Sequence, residues 1–266
     1  MSRTRSTLLD RPLDVLLRPE RLVEPHEDMY DGSLSVKAQS TVRLLVFYML
    51  NVVLYATPLT IAGFGVAADA TAPETIAPWL GLVMDPDGAW AFLLSLGQNS
   101  LFLFVATVLT LVTFHVGVLL TRSSQGLLLT IRTVTYSTGL YLATIFTLVW
   151  YLSIGDAIAV ADDLLIALQA SFVYFFIDLL GTDLALPGGR PEMLPTTGLT
   201  AVGTAVLVAL IVAGLYYLYL LYLGARITHR GSRFAGLVAV GFVTVSPVLY
   251  VVGSILAYEF FGGVFL

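Results

Sequence analysis

Two apolar runs joined by six polar residues constrain this chain more than any other feature. Residues 101–120 read LFLFVATVLTLVTFHVGVLL, the turn is TRSSQG, and residues 127–152 return as LLLTIRTVTYSTGLYLATIFTLVWYL. Each run has the length of about 20 residues that an α-helix needs to cross a hydrocarbon core of about 30 Å. Backbone in lipid must satisfy its own hydrogen bonds, so each run is read as a helix. The pair is a membrane hairpin whose turn carries Arg122, with Arg132 a turn and a half into the outgoing run.

The rest of the chain extends this pattern. Hydrophobic residues make up 58% and charged residues 12%, where soluble domains have about 45–50% and about 25%. That leaves no room for a separate soluble domain beside the spans, an N-terminal segment over residues 1–40 and the loops. The first apolar run begins near residue 41, so no secretory leader is expected. There is no cysteine, which excludes disulfides, thiol chemistry and thiolate zinc sites.

Further spans are expected at residues 41–65, with Arg43 at the start and a kink at Pro58, at 199–222, and at 234–258 with a kink at Pro247. The loop 66–90 holds Asp69, Glu74, Asp85 and Asp87 and no base, and is placed outside. The segment GARITHRGSR after residue 222 holds Arg226, Arg230 and Arg233 and no acid, and is placed inside, where positive charge accumulates. Residues 89–96 are read as a short interfacial helix or an outward extension of the second span. Between the span ending near 153 and the one starting near 199, both ends lie outside, so the number of crossings is even. Residues 156–181 are too short to cross twice. They are read as an amphipathic interfacial or re-entrant helix. Leu9, Leu13, Leu16 and Leu17 among arginines predict an N-terminal surface helix. The expected fold is an all-α polytopic membrane helix bundle of five transmembrane helices with these two extra helices. Its N-terminus is cytosolic, its C-terminus is outside, and a plasma membrane is its location.

Few constellations carry chemistry. Ala201, Ala205, Ala209 and Ala213 recur every four residues, a small-residue stripe suited to close helix packing within one protomer or between protomers. Asn51, Asn99, His115 and Asp178 are polar side chains in apolar surroundings. Asn51 is expected to face another helix, and His115 to make a helix-to-helix hydrogen bond. A conduit would need them, with Arg132, to line one path. His26 and His229 fall in polar segments, and no two histidines have metal-ligand spacing. Asp162 and Asp163 are neighbours that point about 100° apart on a helix and have no triad partner nearby. No catalytic set, cofactor motif, metal site or nucleic-acid-binding feature is read. Arg122, Arg132, Arg226, Arg230 and Arg233 gather on the inner side as topological determinants, or as a docking surface for anionic lipid or an acidic cytosolic partner.

Three stretches resemble the Yip (Ypt-interacting protein) domain family, in its prokaryotic branch. Residues 16–25, LLRPERLVEP, resemble the Pro-containing segment before its first span. Residues 114–137, FHVGVLLTRSSQGLLLTIRTVTYS, resemble its central element: a His near the end of a span, a Gly/Ser turn, a Thr-hydrophobic-Arg step and a Tyr-Ser pair. Residues 219–236, YLLYLGARITHRGSRFAG, resemble its penultimate span, His-containing turn and last helix. Family members often have Pro after the Tyr-Ser pair, where Gly139 stands here. The resemblance implies five spans and a non-enzymatic scaffold that binds itself, partner proteins or membrane lipid. A small transporter or channel subunit is the other reading.

Overall fold

The computed structural model describes residues 19–20, 33–61, 70–82, 84–152, 157–179, 181, 190 and 200–261. The expected N-terminal surface helix, the side chains of Asp162 and Asp163, most of the loop 182–198 and the last five residues lie outside them. The described residues are mostly helical and contain no strand. The helices are α1 (Leu34–Ile61), α2 (Ala77–Leu80), α3 (Pro86–Leu120), α4 (Leu127–Leu152), α5 (Ala157–Leu179), α6 (Ala201–Leu223), α7 (Arg233–Thr244) and α8 (Ser246–Phe261). A π-helical segment, Gly224–Thr228, continues α6.

Four stretches are long and apolar enough to cross a membrane: Leu34–Ile61, Pro86–Leu120, Ala201–Thr228 and Arg233–Leu256. The boundaries differ from the sequence reading where helical hydrogen bonding outruns the apolar run. Helix α1 starts seven residues before position 41; Lys37 N–H already bonds to Ser33 C=O, and Thr41 Oγ1 donates to Lys37 C=O. Helix α3 absorbs residues 89–96, which continue the span rather than form a separate short helix. Its 35 residues give about 52 Å, well beyond the hydrocarbon thickness. Asp85 caps it, accepting from Gly88 N–H at 2.8 Å, and Pro86 takes the first helical position, where its missing N–H costs nothing. Residues 223–228, read as loop, are helical. The last span is interrupted by one residue just before Pro247, where a kink was expected: α7 ends at Thr244, Val245 makes a tightened turn to Phe242 C=O, and α8 resumes at Ser246. Pro247 lacks the N–H that an unbroken helix would need there.

The chain divides into two compact units: Met1–Val46, Leu109–Tyr141 and Val212–Ser246 form the first, and Phe47–Val108, Leu142–Ile211 and Pro247–Leu266 the second. In the first, Phe114 and Val118 of α3, Val134 of α4, Leu221 and Ala225 of the α6–π stretch, and Ala239 and Val243 of α7 share one core. Backbones approach closely here. A Cβ on Gly117 would lie 2.6 Å from Ala239 Cα, and one on Gly224 would lie 2.1 Å from Thr133 Cγ2. Small residues at such contacts let helix backbones pack closely.

In the second unit, Tyr48 of α1 hydrogen-bonds Thr107 of α3. Asn99 of α3 donates to Thr60 Oγ1 of α1 at 3.0 Å. Helix α5 buries Ala170, Val173, Tyr174 and Ile177, one face at helical spacing, with Val251 of α8 against them. The described apolar part of α5, Ala167–Leu179, is shorter than the four long stretches.

Candidate functional site

The chemistry of the first unit concentrates where its two polar turns meet. One turn, residues 121–126, follows α3; the other, residues 229–232, follows the π-helical segment. His229 is fully buried between them. Gln125 N–H donates to His229 Nδ1 at 3.0 Å, so Nδ1 is an acceptor and the neutral ring carries its proton on Nε2. Nε2 lies 3.2 Å from Thr130 Oγ1 and donates to it. The threonine hydroxyl is then free to donate to His115 Nδ1, 2.8 Å away. The order Gln125–His229–Thr130–His115 is thus a directed chain of hydrogen bonds, fixed at one end by a donor that cannot reverse.

Burial supports the same protonation state. Removal from water, and secondarily the nearby His115, lower the His229 pKa from the usual 6.5 to about 4. Phe114 packs its ring 5.8 Å from the His229 ring, adding apolar surroundings. Thr113, Thr107 and Thr121 return their hydroxyls to their own helices' carbonyls three or four residues back. Thr130 spends its hydroxyl on the two rings.

The π-helical segment places His229. Its N–H bonds to Gly224 C=O, five residues back, at 3.1 Å, a wider turn than α-helical geometry gives. Gly224 allows the approach to Thr133 described above. Both helix ends then close with an arginine in the left-handed region: Arg122 has φ 55° and Arg230 φ 51°. After α3, Ser123 N–H reaches Val118 C=O and Arg122 N–H reaches Leu119 C=O, the Schellman arrangement that normally places glycine where Arg122 stands. After the π-helical segment, Arg230 N–H reaches Ile227 C=O and Gly231 N–H reaches Ala225 C=O, one residue further back because the preceding turn is wide. Two non-glycine residues at positive φ, both arginine, are uncommon.

Around this joint Arg122, Arg226, Arg230 and Arg233 are all exposed. Arg132 is half-buried, with its guanidinium 5.4 Å over the Tyr136 ring. The structure therefore brings His115 and four of the five basic residues to one end of the unit. The parts missed in the sequence are Gln125, Thr130 and His229. The legible signal was that His115 and His229 both lie at or near a turn in stretches without acids.

The other polar residues are answered within the second unit. Asn51 donates to Phe47 C=O of its own helix at 2.7 Å, an intrahelical partner that the expectation of a neighbouring helix did not include. Asp178 pairs with Arg190 at 2.8 Å, and Arg190 lies 4.7 Å over the Tyr174 ring. In the alanine stripe Ala201 and Ala205 are exposed, Ala209 is half-buried and Ala213 is buried. Four-residue spacing drifts by about 40° per step, so the stripe winds off one face. Among the described residues, no group of three or more His, Cys, Asp or Glu side chains could hold a metal ion.

Comparison with protein-family models, with characterised proteins and with solved structures finds no match to this chain.

Proposed function

We propose that this is a non-enzymatic multi-span membrane scaffold, similar to the Yip family. It would assemble with itself or a partner protein and present a basic inner face. The observation that carries this reading is the His229 joint: a buried, neutral hydrogen-bond chain holds two turns together and leaves Arg122, Arg226, Arg230 and Arg233 exposed around them. Its buried groups act as structural glue, and its charges face outward. Asn51, Asn99, His115 and Asp178 each have a local partner, as packing residues do, which favours a scaffold over a conduit. In this reading there are five spans, α4 being the fifth, with α5 interfacial or re-entrant. The N-terminus and both arginine turns are cytosolic, and the C-terminus is outside.

The absence of native cysteine gives the test. Single cysteines at Ser123, Pro191, Ser232 and Leu266 are labelled with an impermeant thiol reagent in intact cells. Labelling at Pro191 and Leu266 with protection at Ser123 and Ser232 supports the topology. Labelling at Ser232 with protection at Pro191 overturns it and makes α5 a crossing. A stable oligomer or one dominant co-purifying protein supports assembly; a monodisperse monomer with no partner overturns it.

A further inference from the structure

We propose that the exposed corner of α6 and α7 binds the phosphate of an anionic phospholipid, held by Arg226 and Arg233 beside a ledge formed by Tyr222 and Tyr219. This rests on the membrane reading above, with the arginine turns at headgroup level, and names the occupant of that face.

The corner is built on Gly236, buried in α7. A Cβ there would lie 2.6 Å from two Tyr222 ring carbons and 3.3 Å from Arg226 Cγ. The tyrosine ring and the arginine stem therefore lie flat on α7 because position 236 is bare. The Arg226 guanidinium stands 5.7 Å over the Tyr222 ring, and Tyr222 stacks on Tyr219 at 6.4 Å and 19°. Residues 219, 222 and 226 are spaced to share one helical face. They form a ladder from the charged end of the helix toward its apolar middle. Arg233 lies one turn before Gly236 and shares its face of α7.

Charge and apolar exposure together select the occupant. Residues 193–258 contain no Asp or Glu, so no acid within this stretch neutralises the two guanidinium groups. Guanidinium pairs with phosphate through two parallel hydrogen bonds. Tyrosine rings suit the glycerol level of a bilayer, polar at one end and apolar at the other. Phe234 is 70% and Leu237 64% exposed beside them. An acidic soluble segment would satisfy the arginines and leave these two side chains bare. A phospholipid covers both with its acyl chains.

The test is native mass spectrometry of the full chain in detergent, titrated with dioleoyl phosphatidylglycerol or dioleoyl phosphatidylcholine. Retention of the anionic lipid in preference to the zwitterionic one is expected. R226Q/R233Q lowers that affinity by roughly 30-fold, and Arg233→Gln alone by about fivefold. Arg190→Gln leaves it unchanged. Equal binding of the two lipids, undiminished phosphatidylglycerol binding by the double variant, or displacement by inorganic phosphate overturns the site. The same spectra count subunits. An intact oligomer without lipid preference sinks the lipid site alone, and a selective monomer sinks the assembly reading alone.

Discussion

The backbone N–H of Gln125 donates to Nδ1 of His229 across 104 residues of sequence. That one bond fixes the imidazole tautomer, and through it the direction of the bonds to Thr130 and His115. It also pins the turn after α3 to the turn before α7. If the joint holds the fold, His229→Ala lowers stability by about 2–4 kcal/mol, the sum of a cavity and orphaned donors. Half-buried His115, replaced by Ala, costs less. Thermal unfolding of both variants in detergent checks the ranking; equal costs would remove His229 from its central place.

Stability should respond to pH through the same ring. The folded pKa of about 4 lies below the ordinary 6.5, so the unfolded chain takes up a proton first as pH falls. Stability is therefore full above pH 6.5, declines between 6.5 and about 4, and levels off below. Through this group the loss totals about 3 kcal/mol. Protonated Nδ1 would point its N–H at the Gln125 N–H, so the folded joint itself opens only as pH falls toward about 4. Melting temperature against pH, compared with His229→Asn, checks this: the variant loses this component of the slope.

Glycine substitutions should separate two kinds of close approach. Gly117→Ala meets the backbone of Ala239, and Gly224→Ala meets a Thr133 methyl. Each costs about 1–3 kcal/mol by overpacking, but only the second is relieved by a partner change. Thr133→Ala combined with Gly224→Ala recovers stability, measured as a coupling of about 1 kcal/mol or more in a double-mutant cycle. Additive losses would place the strain elsewhere.

Arginine in the left-handed region is strained at both turns. Arg122→Gly and Arg230→Gly should each stabilise by about 1 kcal/mol, since glycine adopts that conformation freely. Arg→Ala at the same positions keeps a Cβ and gives no such gain. The comparison isolates backbone strain from charge. Stabilised glycine variants that also bind anionic lipid or a co-purifying protein more weakly would show that these charges are kept for binding at a cost in stability.

Asp178 and Arg190 form an ion pair whose side chains remain 52% and 30% exposed. Solvent screening leaves it worth at most about 1 kcal/mol. Asp178→Asn should change the melting temperature little and should not alter ion or solute flux in liposomes. Flux lost in this variant would favour a conduit.

Helices were legible because backbone in lipid has few alternatives: each apolar run of span length had to hydrogen-bond internally. Asp85 accepts from Gly88 N–H and Ser232 from Ala235 N–H as helix caps, and these, with the interruption before Pro247, follow from local chemistry, even though helix ends ran beyond the apolar segments. The joint was not legible. His115 and His229 stand in different hairpins, and nothing in their spacing announces that Thr130 lies between them. Nor does the sequence announce π-helical geometry at Gly224–Thr228. Within that segment Gly224 comes so close to Thr133 that a Cβ there would lie 2.1 Å from its Cγ2. Hydropathy and charge sign by themselves determined that the chain is a set of apolar helices with arginines gathered at two turns. Only tertiary packing decided which polar groups meet, because partner choice across helices depends on ångström-scale approach that glycine and alanine permit and no one-dimensional pattern encodes.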